Sequence, residues 1–209
     1  MIVGNSYHNM LINMLIPAGE EKEISVDPAS ERADIEVREG GTARISVGDN
    51  PRLTLGIFLT GRGASAVITG RFLGARDARQ DITLRAVLSA PETHCRVDMR
   101  SALADTATSV FDGLIRVEEG AGDATGFLSY RALLLSPSAR ARPTPRLEVL
   151  TKHVASLGHA ASVGKIDGDQ IFYLRSRGLS PDEARTLIVG GFLAAAQGRD
   201  ARFEEAMVL

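Results

Sequence analysis

Between about residue 24 and residue 150, apolar and polar positions alternate in short runs. Ala43-Arg44-Ile45-Ser46-Val47, Ala64 to Thr69, Asp81 to Leu88, Thr93 to Met99, Ser109 to Val117 and Phe127 to Leu135 all carry this texture, and the runs stop at Gly, Asp, Asn or Pro. In Ile82-Thr83-Leu84-Arg85 the alternation puts Ile and Leu on one face and Thr and Arg on the other, which is strand periodicity. No segment before Asp167 shows a helical stripe of useful length. Many short strands with tight turns suit an antiparallel sandwich or barrel, or a β-solenoid in which each coil stacks on the last. Similar texture returns near Ile45 and Val67, a period of about 20 residues, and the later spacings are less regular. Asn-Gly hairpin signals are absent, which weakens a simple meander. Texture alone leans slightly towards the solenoid.

The pattern changes at Asp167. Asp167-Gly168-Asp169-Gln170 reads as a capped helix start, after which Ile171 and Leu174 share a face. Arg175 and Arg177 fall in the last turn, where cations complement the helix dipole, and Gly178 suits a left-handed position beyond the end. Ser180-Pro181-Asp182-Glu183 is a stronger start, a capping box with Pro at the first helical position. Ala184, Leu187, Ile188, Gly191, Phe192 and Ala195 then form one stripe. Gly190 and Gly191 cost helix propensity, so another backbone is expected to pack closely there. A last short helix is expected from Ala201 to Val208. The division is a β body over 1–166 and a small helical subdomain over 167–209.

Composition supports a packed domain. Of 209 residues, 44% are hydrophobic, enough for a real core. Aromatics are only 5%, with no Trp, against 21 Gly, so the core is expected to be built from small and branched aliphatics. The net charge of −2 offers no basic excess for phosphates, which disfavours nucleic acid as the main ligand. Cys95 is the one cysteine, which excludes a disulfide framework or a self-sufficient cysteine-ligated cluster and fits a reducing compartment. No basic region precedes an apolar one before Lys22, and the apolar run Leu187 to Ala196 is too short to cross a bilayer. The expectation is a cytoplasmic protein with no membrane association.

Little catalytic chemistry is legible. Gly158 to Ile166 imitates a phosphate-binding loop, but five residues separate its glycines where four are needed, and Ile166 stands where Ser or Thr would bind magnesium. A Gly-bounded strand is the better reading. Of His8, His94, His153 and His159, the last two would share a face on one strand, yet roughly 20 Å apart. His94 and Cys95 are adjacent and would point to opposite faces, so Cys95 reads as a small buried residue. The acid pairs Glu118-Glu119 and Glu204-Glu205 read as solvated faces, and no Gly-x-Ser-x-Gly or His-Glu-x-x-His motif occurs. No enzyme is indicated. Ile171 to Ser180 instead concentrates aromatic and Arg residues at a helix end, the composition of interface anchors.

Several ordered blocks resemble the SufB/SufD family of iron–sulfur cluster assembly scaffold subunits. They are Ser109 to Val117, Leu133-Leu134-Leu135-Ser136 with Ala139, Pro145 to Val149, His159 to Gly164, Asp169 to Leu174, Ser176 to Ser180, Glu183-Ala184 and Gly191-Phe192. The resemblance implies a mainly β fold, a right-handed parallel β-helix with a small C-terminal α-helical subdomain. It implies a non-enzymatic subunit that docks an ABC-type ATPase on those helices, through Phe172, Tyr173, Arg175, Arg177, Gly178 and Phe192. It also implies pairing with another B- or D-type chain, as homodimer or heterodimer, near the C-terminal end of the β-helix. No cofactor is expected to be stably bound, though a transient iron–sulfur cluster at the subunit interface is implied. His159 falls on the family histidine tied to cluster assembly and is the candidate metal and cluster-binding residue. Ala160 and Ala139 stand where B-type members carry Glu and the assembly cysteine, so the chain looks closer to D-type or to a short, reduced member. The alternative is a homodimeric β-solenoid with no iron–sulfur role of its own.

Overall fold

Twelve strands follow one another before the first helix in the computed structural model, which describes residues 11–197. They are β1 (Leu11–Ile16), β2 (Glu21–Val26), β3 (Arg32–Val37), β4 (Thr42–Val47), β5 (Arg52–Leu59), β6 (Ser65–Gly74), β7 (Arg79–Leu88), β8 (His94–Leu103), β9 (Thr108–Val117), β10 (Ala124–Leu134), β11 (Arg140–Val149) and β12 (Val154–Lys165). Two helices complete the described part, α1 (Gly168–Ser176) and α2 (Pro181–Ala194), followed by a 3-10 turn over Ala195–Gln197. The helix expected from Ala201 to Val208 lies outside the described residues, as do His8 and Glu204-Glu205.

Odd- and even-numbered strands separate into two six-stranded sheets, in the orders β1-β3-β5-β7-β9-β11 and β12-β10-β8-β6-β4-β2. Every ladder is parallel. Each coil therefore contributes one strand to each sheet, and the fold is a parallel β-solenoid with two C-terminal helices. The missing hairpin signals have their reason here, because a parallel neighbour is reached only after a full coil.

The alternation seen in the sequence is the inside–outside alternation of the coil. Ile68, Val97 and Leu128 stack along one inner row, and Ile57, Ala86 and Ile115 along the facing one, all buried. Coils lengthen along the axis. Strand starts lie 21 residues apart at Glu21 and Thr42, and 30 apart at Ala124 and Val154. The longer coils hold the large inner side chains. Phe111 stacks on Tyr130 with ring centroids 4.9 Å apart, and the Tyr130 hydroxyl lies 2.8 Å from Ser109 Oγ and 3.0 Å from Ser101 Oγ. Gly113 makes room for this stack, since a Cβ there would sit 2.6 Å from the Phe111 ring and 2.8 Å from Leu128.

One corner of the solenoid is a column of left-handed residues. Gly19, Gly40, Gly63, Glu92 and Asp123 all have positive φ. Their N–H groups donate to the next coil, as in Gly63 to Pro91 O (3.0 Å) and Glu92 to Gly122 O (2.8 Å). Glycine fills this column early in the chain, and Glu92 and Asp123 occupy it later at a steric cost.

Candidate functional site

Two surfaces carry the residues that the sequence singles out. They are the C-terminal end of the solenoid and the helical hairpin.

The solenoid ends without a cap among the described residues. β11 pairs only with β9, and β12 only with β10. The two free edges differ chemically. On β11, Arg140 N–H donates to Ala107 O, and beyond the strand's end Leu150 N–H donates to Val117 O. Even-numbered residues thus face β9, and Pro143 and Pro145 fall where N–H groups would otherwise meet the open edge. Proline there blunts an edge strand. On β12 the reverse holds. Thr125 and Leu135 donate to Thr93 and Leu103, so odd-numbered β10 residues face β8 and even-numbered ones face β12. Their register partners Leu157, His159, Ala161 and Val163 then turn N–H and C=O to the open side. No proline interrupts this strand.

His159 stands on this edge. Its register partner is the buried Leu128, so its side chain projects on the inner side of the last coil, beside Leu157, Ala161 and Val163. It is exposed, and no further coil among the described residues covers it. His153 lies before β12 rather than on it, and its N–H bonds Thr151 Oγ1 at 3.3 Å. The two histidines therefore do not form a strand pair. His94 is exposed, with Nδ1 2.6 Å from Thr125 Oγ1, and Cys95 beside it is buried in the core at 3% exposure. Burial pushes the Cys95 thiol up to about 12, which keeps it protonated and a poor ligand. No group of three or more His, Cys, Asp or Glu is placed to hold a metal among the described residues. Ala139 is fully buried with Leu103 and Ala107 at the corner before β11. The phosphate-loop imitation from Gly158 lies on β12, a strand rather than a loop.

The hairpin is built as the sequence directs. Asp167 caps α1, its carboxylate accepting from Asp169 N–H at 2.9 Å, and Gly178 follows with φ +96°. Ser180 and Glu183 form both bonds of the capping box, and the Ser180 N–H holds the Glu183 carboxyl below its ordinary range. The stripe on α2 behaves differently from expectation. Ala184 is its one buried residue within the helix, while Leu187 is 55% exposed. On α1 nothing is buried, and Phe172 (74%) and Tyr173 (56%) stand in solvent. The Arg177 guanidinium lies over the Tyr173 ring at 5.3 Å. Phe172, Arg175, Gly178 and Leu179 line one cavity, and a second of about 670 Å³ opens between the helices and Leu133 of β10. Gly190 and Gly191 have open space where a Cβ would stand, so the expected close backbone contact is absent within the described residues.

Sequence reasoning missed the residue that fastens α2. Arg100 on β8 points outwards yet is only 5% exposed. It bonds the Asp98 carboxylate at 2.9 Å and the Phe192 carbonyl at 2.9 Å, and lies 5.6 Å from the Phe192 ring. Its one sequence signal is an Arg two residues from an Asp on an outward row, which many surface pairs share.

The family model described as "SUF system FeS cluster assembly, SufBD core domain" matches residues 30–192. The chain belongs to the SufBD core-domain family. An iron–sulfur cluster assembly SufBD family protein of Mycobacterium bovis is 34% identical over 156 residues, covering 69% of this chain and 38% of the relative. The iron–sulfur cluster assembly protein SufD of Bacillus subtilis is 42% identical over 90 residues, covering 43% of this chain and 20% of that protein. A SufBD family protein of Mycobacterium leprae is 29% identical over 154 residues. This SufBD core chain thus spans about two fifths of the length of these two mycobacterial relatives, and 16% of another SufBD family protein of Mycobacterium bovis. No helix among its described residues is long and apolar enough to cross a membrane.

Proposed function

We propose that this chain is a non-enzymatic scaffold subunit of an iron–sulfur cluster assembly complex. The family match over residues 30–192 carries the reading. In it, the solenoid end pairs with a second SufB- or SufD-type chain through β12. That edge offers free N–H and C=O groups and is framed by the exposed apolar residues Val149 and Val163. An uncapped solenoid end favours coverage by another chain, because it otherwise leaves backbone groups and apolar side chains in water.

His159 is the cluster-associated residue in this reading. Imidazole ligates iron well, and His159 sits on the edge that pairing would cover. With Cys95 buried, the remaining ligands for a nascent cluster come from the partner or from sulfide. The cluster is cargo, held transiently and not as a resident cofactor.

The helical hairpin is the docking face for an ABC-type ATPase, whose nucleotide chemistry this chain does not share. Phe172, Tyr173, Arg175, Arg177, Gly178 and Phe192 form the proposed contact set. Exposed aromatics beside arginines are the anchors such interfaces use. Gly190 and Gly191, with open space at their Cβ positions, leave room for a partner's side chains. The work takes place in the cytoplasm, where thiolate and sulfide chemistry is kept reduced.

The test is affinity capture of the tagged chain at native expression from its own host. Recovery of an ABC-type ATPase and a second SufB- or SufD-type chain is expected. Recovery of the chain with itself alone contradicts this reading and favours the homodimeric solenoid.

A further inference from the structure

The second half of α2 carries no polar side chain. From Leu187 to Ala194 it reads Leu-Ile-Val-Gly-Gly-Phe-Leu-Ala, and the charges of the helix stand earlier, at Asp182, Glu183 and Arg185. A helix apolar on all sides is ordinarily buried on all sides. Among the described residues this one is covered on one side only, where Ala184 is buried and Phe192 is half-buried beside Arg100. Leu187, Gly190, Gly191 and Ala194 share the other side at helical spacing, and all four are exposed.

A groove continues this bare side. The cavity of about 670 Å³ is lined by Leu187, Ile188 and Gly191 of α2 and by Tyr173 and Leu174 of α1. Gly190 and Gly191 weaken a helix interior, and open space stands over both. Paired glycines beside an apolar groove let another backbone come close, which suits a second helix laid along α2.

The chain's own next segment is best placed to supply it. The 3-10 turn Ala195–Gln197 packs on β6 and β8, and residues 198–209 follow. In their sequence Gly198 suits a reversal, Asp200 suits a helix cap, and Phe203, Ala206 and Met207 fall on one helical stripe with Glu204 and Glu205 away from it. Residues 201–209 as a helix span about 13 Å, against about 12 Å from Ala195 back to Leu187. So short a tether gives the segment an effective concentration in about the millimolar range, well above that of a free partner.

We propose that residues 198–209 fold back as a helix antiparallel to α2 and strap its bare side, with Phe203 and Met207 laid over Gly190, Gly191 and Ala194. Tyr173 and Phe192 line the strapped groove and also belong to the ATPase contact set, so the strap competes with the ATPase for the hairpin. The competition rests on the docking reading above, and the strap itself does not.

The experiment puts one reactive thiol under the strap of the full chain. Cys95 is buried, so in Ala194→Cys the introduced thiol is the accessible one, and the substitution barely changes side-chain size. Its rate with a disulfide reagent is compared with and without Phe203→Asp/Met207→Asp, circular dichroism verifying the fold. The strap predicts slow reaction at every protein concentration, and at least about tenfold faster reaction once the two aspartates are present. Equal rates in the two backgrounds overturn the proposal. Protection that fades on dilution also overturns it, a second copy then being the cover. Calorimetry of the host's ATPase subunit supplies the second readout. Phe203→Asp/Met207→Asp is expected to bind it more tightly, by the same factor that the thiol gains in rate, because both report the fraction of open hairpin. Equal or weaker ATPase binding by that variant overturns the competition. ATPase binding by neither chain counts against the docking reading instead, and the thiol rates then decide the strap alone.

Discussion

Arg100 on β8 and Phe192 near the end of α2 are joined by a 2.9 Å hydrogen bond from guanidinium to carbonyl, with the same guanidinium 5.6 Å from the Phe192 ring. Ninety-two residues separate them in the sequence. The bond ties the helical hairpin to the solenoid at a point where few other side chains do so, for Ala184 is the one buried residue within α2. Asp98 fixes the guanidinium from the other side.

Arg100→Met removes the charge and leaves Asp98, 15% exposed, without its partner. The expected loss is about 2–4 kcal/mol of unfolding free energy, measured by urea denaturation. Amide hydrogen exchange in α2 is expected to quicken more than exchange in β3 to β6. A uniform effect across both regions would speak against a local fastening role.

Tyr130→Phe deletes a buried hydroxyl that lies within hydrogen-bonding distance of Ser101 and Ser109. It leaves the ring stack on Phe111 in place. A loss of about 1–2 kcal/mol is expected in the same denaturation measurement. Gly113→Val is expected to cost more, about 3 kcal/mol, because its side chain would collide with Phe111 and Leu128.

Alkaline pH is expected to destabilise the fold. Burial raises the Cys95 thiol from 9.0 to about 12 and also raises the Tyr130 hydroxyl. Both groups stay protonated when folded and ionise more readily when unfolded. Their contribution is thus intact below pH 9 and is lost as pH climbs towards 12, for Cys95 by up to about 4 kcal/mol. Unfolding midpoints measured from pH 7 to pH 11 are expected to fall beyond pH 9. Cys95→Ala is expected to flatten the early part of that fall. The native thiol is expected to stay unreactive towards a disulfide reagent until the chain unfolds.

The fold was legible in the sequence to the extent that inside–outside alternation is local. Ile82-Thr83-Leu84-Arg85 reads as strand from four residues, and β7 contains it. The Ser180 capping box is equally local and both its bonds form. Texture alone gives only a leaning to solenoid over sandwich, because parallel pairing joins residues some 20–30 positions apart and coil length drifts along the chain, and the family resemblance decides between them. β11 was obscured by Pro143 and Pro145, whose place becomes clear once the strand is seen to lie at an edge. The stripe on α2 was read correctly as apolar, but its burial depended on a neighbour that the described residues do not supply. Arg100 was illegible because its significance comes entirely from Phe192.

Pairing through β12 predicts sensitivity at its open edge. Ala161→Pro removes an edge N–H group, and Val163→Lys places a charge on the inner side of the last coil. Light scattering after size-exclusion chromatography is expected to show loss of pairing in both variants, with unchanged circular dichroism. Ser25→Lys, on the exterior of β2 at the opposite end, is expected to leave pairing intact. Pairing that survives both β12 changes would move the interface elsewhere.

The most direct test of the scaffold reading is binding of the ABC-type ATPase subunit of the host's assembly system. Calorimetry would compare the unaltered chain with Tyr173→Ala/Arg177→Ala. Both side chains are exposed and neither is part of the core, so the fold is expected to be unchanged. Docking on the hairpin predicts at least about a tenfold loss of affinity in the double variant. Undiminished ATPase binding by that variant, or no binding by the unaltered chain, would contradict it.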